Sequence, residues 1–345
     1  MKLAIVLALI MFSGSIIHPE AARLYKVAIV TDTQQDFAVK LREGFASTLD
    51  ALLAKQGAKA AYTVWDTELD PAKCPGIIDG IGRLEPDLVF TINYPTGFAD
   101  IHVTNKLKEA KYRFVSLNAV PVQSKTIASW EKPGGNVTGI SVFLSFNPQI
   151  KLMRKIRPEA KKLVVFTWSA MALTNDWYLS EIRRACEEEG IELAATLLVP
   201  DVESQLAALL PYADKGKEYF GFGIISAWVH KDGRPADTVA LEGDFMRTKM
   251  NIPMISYDEN GVIIEAVAGC CVIWGDIGAQ AAEKGMLVLG GKNPGDLPWE
   301  YPRKYNILLN LAAAKRLGIA MPQSLINAAY RVYTDFDGHF AGQGD

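Results

Sequence analysis

What most constrains this chain is an alternation, repeated along its length, of unbroken apolar stretches with amphipathic ones. Tyr25–Thr31 (YKVAIVT) reads as a buried strand and Phe37–Gln56 as a helix with apolar residues at helical spacing. Ala60–Asp66, Leu88–Asn93 and Arg113–Leu117 read as further strands, with helices expected around Gly76–Leu84 and Thr104–Ala110. The pattern restarts at Leu163–Trp168. It continues through a helix over Asp176–Glu189 that closes at Gly190, a strand at Glu192–Leu198, a helix at Val202–Leu210 and a strand at Tyr219–Ile225. A helix near Ala240–Lys249 then precedes strands at Met254–Tyr257 and Val262–Ala268. Strands that are apolar throughout belong to sheets covered on both faces, and strands alternating with helices form right-handed parallel units. Two such runs, divided near Gly134–Ser145, predict an α/β chain of two doubly wound parallel-sheet lobes. A length of 345 residues agrees with two domains.

Composition excludes several classes of function. Thirty-six basic against 39 acidic residues give a net charge of −3, so no nucleic acid or acidic membrane partner is expected. Four cysteines in this length do not make a disulfide framework. Cys74, Cys186, Cys270 and Cys271 read as small buried residues with room for one long-range bridge; the adjacent pair is too strained to bond to itself.

The N-terminus predicts export. Met1-Lys2 precedes ten apolar residues, Leu3–Phe12, then Ser13-Gly14-Ser15 and a stretch ending at Ala21-Ala22. One positive charge, a short apolar core and small residues are the parts of a cleavable signal peptide, assigned here to residues 1–22, with Ser13-Gly14-Ser15, nearer the apolar core, as the alternative cleavage site. Its apolar run is too short to span a bilayer, and no later stretch reaches 18 apolar residues, so no stable membrane insertion is expected after cleavage. No cysteine follows the leader to carry a lipid, which predicts a periplasmic location.

In open parallel sheets, ligands sit outside the carboxyl ends of the strands. The segments that matter are therefore Thr31–Asp36, Asn93–Asp100, Asn118–Gln123, Trp168–Trp177, Ser226–His230 and Tyr257–Gly261. Asp258 is the first candidate to meet a cation and Asp32 the second; Asp258 also lies in an Asp-Glu-Asn-Gly run that suits a turn. Thr33-Gln34 and Thr96-Gly97 precede helices, where backbone N–H groups can hold an anion or simply be capped. Tyr94, Trp168, Trp228 and Tyr257 fall at strand ends and offer faces for stacking or cation–π contact, with core packing as the plain alternative. Asn118 is a further polar candidate.

From Asn136 onward the chain resembles a family of bacterial ABC-transporter substrate-binding proteins whose better-known members take up tryptophan or tyrosine. The resemblance is carried by Asn136-Val137-Thr138-Gly139, Ile150–Ala160, Asp276–Pro294, Leu297–Pro302, Asn306–Asn310 and Ala312–Leu325. It implies a type 1 periplasmic-binding-protein fold whose lobes are joined by three crossovers and close on a small molecule. It also implies an ABC permease with a separate ATPase subunit as partners. On this analogy residues 23–142 and about 266–297 form the first lobe, 143–265 and about 298–333 the second, and 334–345 a tail. Members that bind aromatic amino acids carry a Thr-Asp-Asn-Thr run after a second-lobe strand. This chain has Ile225-Ser226-Ala227-Trp228 there, whereas the acidic residue after the next strand is matched by Asp258.

Signals for catalysis are thin. His102, His230 and His339 have no metal-ligand spacing, and Ser141 lacks the second glycine of a nucleophile elbow. Gly221-Phe222-Gly223 is an incomplete dinucleotide fingerprint and no phosphate-binding loop exists, so neither a cofactor nor a metal is expected. The expectation is an exported protein that captures a small organic ligand, amino-acid-like by analogy, for an importer. The alternatives are a sensory protein of the same fold presenting its ligand to a receptor or histidine kinase, and a periplasmic α/β enzyme.

Overall fold

The structure, a computed structural model, describes residues 23–93, 96–108 and 111–341. The leader expected over residues 1–22 and the candidate contact Tyr94 lie outside the described residues. In the first lobe the apolar stretches become β1 (Leu24–Thr31), β2 (Lys59–Asp66), β3 (Leu88–Ile92), β4 (Phe114–Leu117) and β5 (Val137–Ile140). All are parallel, in the order β2-β1-β3-β4-β5. Helices cover both faces. α1 (Asp36–Ala54) packs with Val27 and Ile29 on one face, while α2 (Cys74–Leu84) and α3 (Phe98–His102) meet Ala28 and Val30 on the other. The helix expected over Thr104–Ala110 is a short 3-10 turn, Thr104–Leu107.

The second lobe contains α4 (Asn147–Ile156), β6 (Lys162–Trp168), α5 (Ala172–Glu189), β7 (Glu192–Val199), α6 (Val202–Leu209) and β8 (Tyr219–Gly223). After these come α7 (Thr238–Lys249), β9 (Met254–Ser256), α8 (Glu259–Ile264) and β10 (Ala268–Val272). The chain then passes through α9 (Trp274–Leu289) to β11 (Tyr305–Asn310), α10 (Leu311–Arg316), α11 (Gln323–Ala328), β12 (Arg331–Tyr333) and β13 (Phe340–Ala341). The sheet runs β13-β12-β11-β10-β9-β8-β6-β7, parallel except where β11 meets β10 and β13 meets β12.

Three expectations need correction. The strand expected at Val262–Ala268 is largely the helix α8, because Asp258 accepts the N–H of Gly261 (2.9 Å) and so caps a helical turn. β10, expected in the first lobe, belongs to the second sheet: Ala268 pairs with Ile255 and Leu309, and the chain leaves that lobe only at Ile273. The expected tail is partly structured too, since Phe340 and Ala341 pair with Tyr333 and Val332. The four cysteines are all buried and free, so the bridge is not formed.

After β10 the chain returns to the first lobe as α9, which lies across α1. The two helices approach so closely that a Cβ on Gly44 would stand 2.1 Å from the Gly275 carbonyl oxygen, and one on Gly278 would stand 2.1 Å from that of Leu41. The last crossover then runs beside β5. Glu300 donates its N–H to Gly139 (3.3 Å) and accepts that of Ser141 (2.8 Å), and its carboxylate pairs with the buried Lys284 of α9 (2.8 Å). Three strands of chain thus join the lobes: 141–146, Ile273 and 298–304.

Candidate functional site

In each sheet the winding direction reverses once. In the first lobe β1 leads to β2 on one side and β3 on the other; in the second, β6 leads to β7 and β8 in the same way. Such switch points leave a crevice at the carboxyl edge of a sheet. The strand ends there are flush. Asp32 donates its N–H to Ile92, Asn93 to Leu117 and Asn118 to Ile140, which aligns 32, 93 and 118 in one row. The two carboxyl edges meet where Trp130, in the loop after β4, stacks on Trp177 of α5 (centroids 6.2 Å apart). Trp130 also contacts Tyr301 in the last crossover, whose hydroxyl donates to Glu181 (2.9 Å).

The first-lobe row is largely satisfied within the lobe. Asp32 is only 1% exposed. Its Oδ1 accepts the Thr67 hydroxyl (2.8 Å) and its Oδ2 the N–H of Ala99 (3.2 Å), so it ties the loop after β1 to those after β2 and β3. Asn118 is fully buried: its amide donates to Asp100 Oδ2 (2.8 Å) and Ser124, while its carbonyl accepts from Val120. Both therefore help to build the edge, since burial and internal hydrogen bonds tie their polar atoms to other segments of the lobe. The hub is Asp100, for which the sequence offers no signal. It accepts hydroxyls from Thr91, Thr104 and Ser116 as well as the Asn118 amide, from residues spread between 91 and 118.

Thr33 and Gln34 are turned to local work. The Thr33 hydroxyl accepts the N–H of Gln35 (3.2 Å), and the exposed Gln34 links Asp66 (2.7 Å) to Arg42 (3.2 Å). Thr96 differs: its hydroxyl is buried and has no hydrogen-bond partner among the described residues. It precedes Gly97, whose φ of +72° turns the chain tightly into α3.

The second-lobe candidates come together. Trp168 ends β6, Trp228 lies in the loop after β8, and Tyr257 and Asp258 follow β9, three strands that are adjacent. Trp168 donates its indole N–H to Pro200 (3.0 Å) and lies near-parallel to Trp228, with centroids 6.4 Å apart; Trp228 keeps 37% of its surface exposed. Tyr257 sets its ring edge-on to Phe143 in the first crossover (5.1 Å). Asp258 is half-buried, and desolvation pushes its carboxyl above the ordinary range despite N–H bonds from Gly261 and Asn260. Nearby Gln205, Glu242 and Glu265 are buried; as polar residues of amphipathic segments they read like solvent-facing positions. Elsewhere, Asp335, Asp337 and His339 cluster on an exposed turn and bond to one another.

Among the described residues no helix is long and apolar enough to cross a membrane. A sequence model of the family described as "ABC transporter substrate binding protein" matches residues 26–333. A tyrosine-binding protein of Clostridioides difficile (strain R20291) is 23% identical over 282 residues, covering 81% of this chain and 76% of the relative. The fold is shared with a ligand-free, open substrate-binding protein with adhesive properties from Clostridium difficile (TM-score 0.70, 18% identity, 90% of this chain and 99% of that one). It is shared too with an ABC domain from Streptococcus pneumonia in complex with L-Trp (TM-score 0.67, 19% identity, 89% and 99%). With the family matched over nearly the whole described length and two doubly wound lobes meeting at their carboxyl edges, this chain belongs to the ABC transporter substrate-binding protein family, and it is a binding protein rather than an enzyme.

Proposed function

We propose that this protein is exported through its leader, captures an amino-acid-like ligand between its lobes and delivers it to an ABC permease served by a separate ATPase. The observation that carries the ligand class is that an acidic group, Asp258, and a pair of indoles, Trp168 and Trp228, stand at the carboxyl ends of three adjacent strands. Asp258 suits an ammonium group, and the indole faces suit a ring or a cation, at roughly 0.5–2 kcal/mol per contact. In the first lobe the buried Thr96 hydroxyl, with no partner among the described residues, can donate to a carboxylate. The names of the tyrosine-binding relative and the L-Trp complex support an aromatic amino acid, held here by a different contact set because Ser226-Ala227-Trp228 replaces the polar run. A ligand bridging both lobes shifts an open–closed balance by its preference for the closed form, which the importer then recognises.

The test is a thermal-shift screen of the mature protein against amino acids, with L-tyrosine and L-tryptophan expected to raise the melting temperature progressively, with the logarithm of concentration once above the dissociation constant. Asp258→Asn keeps the helix cap and removes the charge; it is expected to weaken binding by about 2 kcal/mol or more. An undiminished shift in that variant would remove Asp258 from the site.

A further inference from the structure

Trp228 belongs neither to the sheet nor to a helix. It opens a small hairpin, residues 228–236, between β8 and α7. Ala236 donates its N–H to Trp228 (2.9 Å) and His230 to Arg234 (2.8 Å), Val229 and Pro235 form an antiparallel bridge, and Gly233 turns the tip with a φ of +83°. The root is fixed: buried Ala227 donates its N–H to Gln205 of α6 (2.9 Å) and accepts the hydroxyl of Thr238, the first residue of α7 (2.6 Å). The tip is not, since Lys231, Asp232, Gly233, Arg234 and Pro235 are all exposed. A two-stranded hairpin with so little burial is marginal in water by itself. What holds its outer part is α6. Val202 donates its N–H to Val229 (3.0 Å), and the Glu203 carboxylate takes one bond on each oxygen, from His230 Nδ1 on Oε1 (2.7 Å) and from the Lys231 N–H on Oε2 (3.0 Å). Glu203 sits in the first turn of α6, which Asp201 caps through the N–H of Ser204 (2.7 Å).

We propose that Glu203 and His230 are positioning residues for the ligand: they clasp the hairpin to α6 and so keep the Trp228 indole near-parallel to that of Trp168, where it selects ligands that carry a ring. The inference rests on the amino-acid reading above for the nature of that ligand. A carboxylate is an acceptor only, so the His230 Nδ1 carries the hydrogen of the shared bond. Glu203 and His230 are both solvent-accessible, and a pair of that kind adds little to global stability. Its effect is local. It fixes two consecutive residues of the hairpin, the first of them two positions from Trp228. A wall that is already in place when the ligand arrives needs no ordering on binding. With the clasp gone, every capture has to order the hairpin first, and affinity falls through Trp228 alone.

A double-mutant cycle on the full mature chain tests this, with calorimetric binding of L-tryptophan as the readout. Trp228→Ala is expected to weaken binding about tenfold. Glu203→Ala is expected to weaken it to a similar extent in the wild type, by less than about twofold in the Trp228→Ala background, and to leave the melting temperature of the free protein near that of the wild type. His230→Ala should lose part of the affinity, and His230→Asn, whose amide N–H can stand in for the ring N–H, should restore it. Without ligand, hydrogen exchange of the 228–236 amides is expected to quicken in Glu203→Ala. Unchanged exchange overturns the clasp. Unchanged affinity in Glu203→Ala, or an equal loss in both backgrounds, overturns the positioning role and leaves the amino-acid reading intact. If the wild type binds neither L-tryptophan nor L-tyrosine, the amino-acid reading falls and the ring-selecting role of the hairpin falls with it.

Discussion

At the scale of residues, burial decides which polar groups are spent inside the protein. Asp32 and Asn118 stand at strand ends, as their sequence positions require, yet both are consumed by partners from other segments. That consumption was not legible, because the partners are set by strand order and not by spacing. Asp100 shows the same thing more strongly. Asp100→Ala strips a shared acceptor from four buried donors and is expected to cost about 3 kcal/mol or more, read as a lowered urea midpoint with unchanged slope. The thiols behave likewise: burial holds those of Cys186 and Cys270 up at about 12, so neither is ionised at neutral pH. A thiol reagent is expected to label none of the four cysteines in the native protein and all of them in denaturant. Fast native labelling of Cys186 or Cys270 would contradict their burial.

At the scale of elements, the local periodicities mark strands and helices well, and they fail where a cap redirects the chain. Val262–Ala268 is apolar enough for a strand, but the Asp258 cap starts a helix and delays β10 to Ala268. The contact of α1 with α9 depends on glycines that no periodicity singles out, since the need for them arises only when segments more than 200 residues apart are laid together. Gly278→Ala puts a methyl group against the Leu41 carbonyl and has to push the helices apart. A loss of about 1–3 kcal/mol is expected, measured by chemical denaturation. Gly76→Ala, inside α2 and with nothing within 4 Å of the added carbon, is the control and should hold stability or raise it by up to about 1 kcal/mol.

At the scale of the whole molecule, one apolar core runs through both lobes by way of Val142, Phe143 and Leu144 in the first crossover. Trp130 and Trp177 add a contact across the facing edges. Trp130→Ala removes it together with the Tyr301 contact, and the lobes are expected to stand further apart on average, seen as a larger radius of gyration in solution scattering. An unchanged radius would mean that the crossovers alone set the angle between the lobes.

The sequence by itself determined the class of the molecule: apolar runs of strand length between amphipathic helices leave little choice but parallel sheets covered on both faces, twice over. It also determined where a ligand has to be sought, since switch points lie at strand ends. Only the tertiary structure decided that β10 stays with the second sheet, that Asp32 and Asn118 are hydrogen-bonded to distant segments of the first lobe, and that Asp100 gathers four buried donors. The physical reason is common to all three. Periodicity is a property of neighbouring residues, whereas hydrogen-bond partners and desolvation belong to segments that come together only when the chain is packed.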